Sequence, residues 1–123
     1  GADAVTEDPL SRLTLSNRCH VQAVQALRTL APRLIVSGGG GYNPWSVGRA
    51  WSCVWATLAG HEIPDHLPPP ASDILRNLRW TRKAKPTEAL MTTLLDPPRN
   101  GPVSDQVQHV VTTLKTRSHI RAG

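Results

Sequence analysis

A chain of 123 residues, 39% hydrophobic and 19% charged, has room for one domain with a modest core and too few charges to stay unfolded by self-repulsion. No apolar run nears the ~20 residues that cross a bilayer, the opening residues do not read as a leader, and two cysteines are too few for a disulfide-dense scaffold or a four-cysteine zinc module. The net charge of +5 invites a nucleic-acid partner, but the excess is spread along the chain and only Arg76, Arg79, Arg82, Lys83 and Lys85 form an acid-free cluster, which reads as solvated surface.

In chain order, residues 1–10 show no period and read as a loop. Ser16 and Asn17 are good helix caps; behind them Val21, Val24, Leu27 and Leu30 recur at helical steps, and Pro32 closes the helix. Leu34-Ile35-Val36 is a short β-branched apolar run of the kind found in a parallel strand buried on both faces. Ser37 and the glycines Gly38 to Gly41 follow. Asn43 caps the next helix, Pro44 suits its first position, and Val47, Trp51, Val54, Trp55 and Leu58 give it a broad apolar face up to a stop at Gly60. Pro64, Pro68, Pro69 and Pro70 mark an extended connector. Short helices are predicted over Ser72–Leu78 and Thr87–Leu95, the 96–102 segment is a break, and Ser104 caps a last helix with Val107, Val110, Val111 and Leu114 on one face. The division that follows is residues 1–116 as folded domain and 117–123 as a frayed tail. Cys19 and Cys53 read as reduced thiols of a cytoplasmic protein.

The chemistry sits in the glycine stretch. A strand that ends in bare glycines and then enters a helix lets backbone approach a ligand closely. It is not a P-loop, because no lysine follows the glycines, and it is not a dinucleotide fingerprint, because the third glycine of G-x-G-x-x-G falls on Asn43 or Pro44. On spacing alone a ligand loop and a plain connector are equally supported. His61, Glu62, Asp65 and His66 flank Pro64 and carry metal-donor atoms, but the proline breaks any helical pairing and a solvated loop is the plainer reading.

Gly1-Ala2-Asp3, Asp8-Pro9-Leu10, Leu15-Ser16-Asn17, Gly38-Gly39-Gly40-Gly41-Tyr42 and Val47-Gly48-Arg49-Ala50-Trp51, taken together, resemble the C-terminal part of histone deacetylase-like zinc amidohydrolases. The Asn43-Pro44-Trp45-Ser46 extension and the 96–102 segment are similar to the bacterial, acetoin-utilisation-type branch. The resemblance implies an α/β fold: the C-terminal part of an arginase/deacetylase-like three-layer architecture, here mostly helical with one clear strand. It implies that Asp3 is a carboxylate ligand of a catalytic zinc, that Tyr42 donates a hydrogen bond to the acyl oxygen as it becomes an oxyanion, and that Leu10, Gly40 and Gly41 line a narrow substrate channel. Outside the resemblance, Asp3 is a surface acid, Tyr42 a packing residue and Leu10 a core leucine.

The resemblance also implies what this stretch lacks. The family's other ligands come from a D-x-H motif and its proton transfer from two adjacent histidines; His20, His61, His66, His109 and His119 fit neither pattern. One strand without neighbours leaves its backbone unpaired, so its partners are expected outside these residues, in a missing N-terminal part of the same catalytic domain. The expected whole is a zinc-dependent deacetylase that hydrolyses acetyl-lysine or a related acyl amide, with this portion inactive alone, binding zinc only beside the missing part, and unstable through its apolar surface. The alternatives are a non-catalytic binding or scaffold module that keeps the same surface and, ranked last, a nucleic-acid binder using Arg76 to Lys85 with Trp80; no membrane partner is implied.

Overall fold

The computed structural model describes residues 1–82, 85–99 and 101–120, the last three without their side chains. After a 3-10 turn at Ala2–Ala4 come α1 (Asn17–Leu27), α2 (Pro44–Ala59), α3 (Pro69–Asn77), α4 (Glu88–Thr92) and α5 (Asp105–Ile120). α2 is the centre. It packs along α1 and touches the opening turn and α4, while α3 lies on α4.

The ends of α2 follow from local chemistry. Asn43 Oδ1 accepts from the backbone N–H groups of Trp45, at 3.0 Å, and Ser46, at 3.4 Å, which satisfies two of the donors a helix leaves open. Pro44 occupies the first turn, where no N–H is needed. Gly60 ends the helix in the left-handed region, at φ +74°. Between these ends Trp45, Ala50, Cys53 and Val54 are buried, as is Thr57, whose hydroxyl donates back to the Cys53 carbonyl. The apolar face is narrower than its sequence suggests, because Trp55 is 63% exposed and stacks on His61 at 5.2 Å.

The other helices depart from expectation for identifiable reasons. α1 stops at Leu27, and Leu30 lies beyond it at 74% exposure. α3 starts three residues early, because Pro69 and Pro70 fit a first turn. α4 stops short at Thr92: Thr93 turns extended and pairs antiparallel with His66 of the connector, whose neighbour Leu67 donates to the Thr92 carbonyl at 2.8 Å. α5 starts behind Ser104, which accepts from the Val107 N–H, and continues through the residues expected to fray as far as Ile120; residues 121–123 lie outside those described.

The strand's expected burial is corrected; its expected lack of partners within these residues is not. Among the described residues Leu34-Ile35-Val36 pairs with no neighbour, and Ile35 is 94% exposed. β-branched propensity favours extended backbone, but an extended segment becomes a strand only against a second backbone. The described residues hold two isolated bridges, Val5 with Leu15 and His66 with Thr93.

Candidate functional site

The opening turn and the glycine stretch meet. Ala2 N–H donates to the Gly39 carbonyl at 2.9 Å. Val5, 1% exposed, bridges in parallel to Leu15, with Leu15 N–H donating to the Ala4 carbonyl and Thr6 N–H to the Leu15 carbonyl. Asp3 is thereby held against the glycines. A Cβ on Gly40 would stand 2.8 Å from Asp3 Cγ and 3.1 Å from its backbone nitrogen; a Cβ on Gly41 would stand 2.6 Å from Val47 Cγ2 and 3.0 Å from Ala2 Cβ. Both glycines also sit in the left-handed region, at φ +66° and +89°. Sterics and backbone conformation therefore both require glycine here, whereas an added Cβ meets nothing within 4 Å at Gly39 and only Trp51, at 4.0 Å, at Gly38.

One buried carboxylate positions the two remaining residues. Asp8, 6% exposed, accepts the Tyr42 N–H on Oδ2 at 2.7 Å and the Leu10 N–H on Oδ1 at 2.9 Å. Asn43 adds a second tie, donating from Nδ2 to the Glu7 carbonyl at 3.0 Å. The backbone of Tyr42 is thus fixed while the residue stays 52% exposed, and Leu10, held by the same carboxylate, is 61% exposed. Asp3, Leu10, Gly40, Gly41 and Tyr42 are gathered in one loop cluster at the start of α2.

A second buried polar group anchors α2 from below. Arg49 Nη1 pairs with Asp96 Oδ1 at 3.0 Å, both side chains being at most 9% exposed; Arg49 also donates to the Thr93 carbonyl and hydroxyl. Asp96 Oδ2 accepts the Asn17 N–H at 2.8 Å, Asn17 Oδ1 accepts the Asp96 N–H at 2.9 Å, and Asn17 Nδ2 donates to the Leu94 carbonyl. Cys53 lies beside this group, and its burial pushes the thiol up to about 11 from an ordinary 9.0, against the pull of Arg49. Sequence reasoning missed both Asp8 and this network. Asp8 stood inside a quoted motif, but its acceptor role depends on Tyr42, 34 positions away; Asp96 stood in what looked like a loop break.

The acid-free cluster is not acid-free in space. Arg76 Nη1 donates to Glu88 of α4 at 3.1 Å, and the guanidinium hydrogen bond holds the Glu88 carboxyl below its usual range. Arg82 lies over the Trp80 ring. Lys83 lies outside the described residues.

Among the described residues no three His, Cys, Asp or Glu side chains are grouped so as to hold a metal ion. Asp3 offers one carboxylate, and a catalytic zinc takes three protein ligands. The residues present do not by themselves fit a zinc centre, and the 61–66 segment does not make one either.

The family model described as Histone deacetylase domain matches residues 1–58. Histone deacetylase 1 of Oryza sativa subsp. japonica is 38% identical over 69 residues, 56% of this chain and 13% of its own length. Type-1 histone deacetylase 1 of Dictyostelium discoideum is 38% identical over 68 residues, 55% of this chain and 14% of its own length. The crystal structure of an HDAC homologue from Aquifex aeolicus superposes with a TM-score of 0.77 at 31% identity, over 92% of this chain and 31% of that one. The chain therefore spans a small part of the curated relatives it matches. Its fold is the arginase/deacetylase-like α/β fold, of which it carries a mostly helical part. The acetoin-utilisation branch draws no support from these relatives.

Proposed function

We propose that this chain is the C-terminal part of a zinc-dependent deacetylase that hydrolyses acetyl-lysine or a related acyl amide, Asp3 supplying one carboxylate to the zinc and Tyr42 the oxyanion donor. The observation that carries the reading is the packing of Asp3 against Gly40: residues 37 positions apart, singled out by one resemblance, meet where any side chain on Gly40 would collide with Asp3. The match of residues 1–58 to the deacetylase domain supports the same assignment.

In this reading each residue has one task. The Asp8 carboxylate fixes the Tyr42 backbone, so the half-exposed phenol reaches the acyl oxygen without a search over backbone conformations. The phenol O–H then donates to that oxygen as negative charge develops, which is where a fixed donor contributes most. Leu10, held by the other oxygen of Asp8, lies along the acyl stem, and Gly40 and Gly41 keep the wall thin. Zinc, when bound, supplies Lewis-acid chemistry; its other ligands and the paired histidines come from the rest of the same domain. A cytoplasmic setting belongs to this reading and rests on the two free cysteines.

The test is a chimera in which this chain replaces the matching part of the Aquifex aeolicus homologue, assayed with an acetyl-lysine reporter beside the chain alone with zinc. The chain alone turns over no faster than free zinc. The chimera is active, and Tyr42→Phe lowers its kcat by about 10²- to 10³-fold with little change in KM. An active chimera indifferent to Tyr42→Phe would remove the phenol from the mechanism. The second reading, a non-catalytic binding module, is favoured by the exposed Ile35 and by Val107, Val110 and Val111 of α5; a folded but inactive chimera would support it.

A further inference from the structure

Beside Asn43 lies a cavity of about 170 Å³ lined by Glu7, Asn43, Trp45, Trp80, Lys85 and Leu90, among others. That volume holds roughly five or six waters. Its walls are built. Trp45 is 4% exposed, and its indole N–H is committed to the Leu75 carbonyl at 2.8 Å, which fixes the ring. Trp80 meets it edge to face, with centroids 5.6 Å apart at 75°. Leu90 of α4 is buried at 4%. Glu7 is held by the bond from Asn43 to its carbonyl, and its Oε2 is buried without a hydrogen-bond partner.

A buried carboxylate oxygen with no donor is costly, and it calls for one. Two tryptophan rings supply the complementary term, because their electron-rich faces attract cations and a desolvated pocket strengthens that attraction. Trp80 already serves a cation in this chain: the Arg82 guanidinium lies 5.9 Å from its centroid. Arg82 is not among the residues that line the cavity. Lys85 is exposed and stands at the mouth.

We propose that this pocket binds an alkylammonium group, with Glu7 as its counter-charge and Trp45 and Trp80 as its aromatic walls. The site is independent of the deacylase reading, since neither Asp3 nor Tyr42 takes part. Its ligand is either a free small amine or the side-chain ammonium of a lysine, which share the same head group.

The experiment is a tryptophan-fluorescence titration of the full chain at constant ionic strength with tert-butylammonium, 1,4-diaminobutane and Nα-acetyl-lysine amide, with tert-butanol as the uncharged control of similar shape. The ammonium probes give a saturating change and tert-butanol none. Glu7→Gln weakens the ammonium response about tenfold or more, and Trp80→Leu abolishes it. Saturation by the diamine alone assigns the site to free amines; saturation by the lysine amide as well assigns it to lysine side chains; both uphold the pocket. No saturation by any ammonium probe, as when the chain's own Lys85 fills the site, overturns it, and so does an equal response to tert-butanol. That comparison uses the unaltered chain and decides the matter even where a variant fails to fold.

Discussion

Around Asp96 the buried polar atoms of Asn17, Arg49 and Asp96 are bonded to one another and to the backbone carbonyls of Thr93 and Leu94. Along α5, by contrast, Val107, Val110 and Val111 stand 43% to 50% exposed. Both regions draw on helices that carry an apolar face, yet the first is also tied to distant segments by buried side-chain bonds. The difference lies in where the bonds go. Asn17 and Asp96 are 79 positions apart, and their reciprocal bonds fix α1 against the end of α4. α5 is sustained by bonds inside its own length, including Thr112 to the Gln108 carbonyl and Thr113 to the His109 carbonyl. A helix can be well formed with its apolar face still open to solvent.

Asp96→Ala breaks that contrast most directly. It strands a buried guanidinium and the Asn17 N–H, and it should cost about 3–5 kcal/mol in urea unfolding. Asp8→Ala comes next. It frees the Tyr42 and Leu10 N–H groups in a half-buried loop, with an expected loss of about 2–3 kcal/mol and greater protease sensitivity at the glycine stretch.

A smaller effect depends on pH. Cys53 keeps its proton in the folded chain up to about 11, while the unfolded thiol releases its own near 9.0. Stability from this group is therefore complete below pH 9 and is lost as pH rises from 9 to 11, because in that range the unfolded chain binds fewer protons. Cys53→Ser, measured by unfolding across that range, should flatten the slope. At the other extreme Val110→Ser, on the exposed face of α5, should change stability by no more than about 0.5 kcal/mol. A loss as large as that of Asp8→Ala would mean that the Val110 face of α5 is packed against a partner.

Legibility in the sequence followed the range of the interaction. Asn43, Pro44 and Gly60 announced both ends of α2, because a cap acts on donors two or three residues away. The family resemblance brought Asp3 and Tyr42 forward, and the structure gathers both with Leu10, Gly40 and Gly41 in one cluster. Leu34-Ile35-Val36 was legible only as a preference for extended backbone, because its composition says nothing of a neighbouring backbone. Asp8 was in view and its task was not, since an acid at a turn reads the same whether it faces water or two distant N–H groups. The basic run from Arg76 to Lys85 looked uncompensated along the chain, but Glu88 of the next helix reaches back to it.

By itself the amino-acid order set the helices and their caps, because those depend on steric and hydrogen-bond rules within a few residues; that positions 40 and 41 admit only glycine depends on Asp3 and Ala2, which the fold brings to them. Which carboxylate would hold the tyrosine, which would pair with Arg49 and which would be left buried without a donor was decided by the tertiary structure alone. Those outcomes depend on groups dozens of positions apart being desolvated together, and burial is a property of the packed molecule.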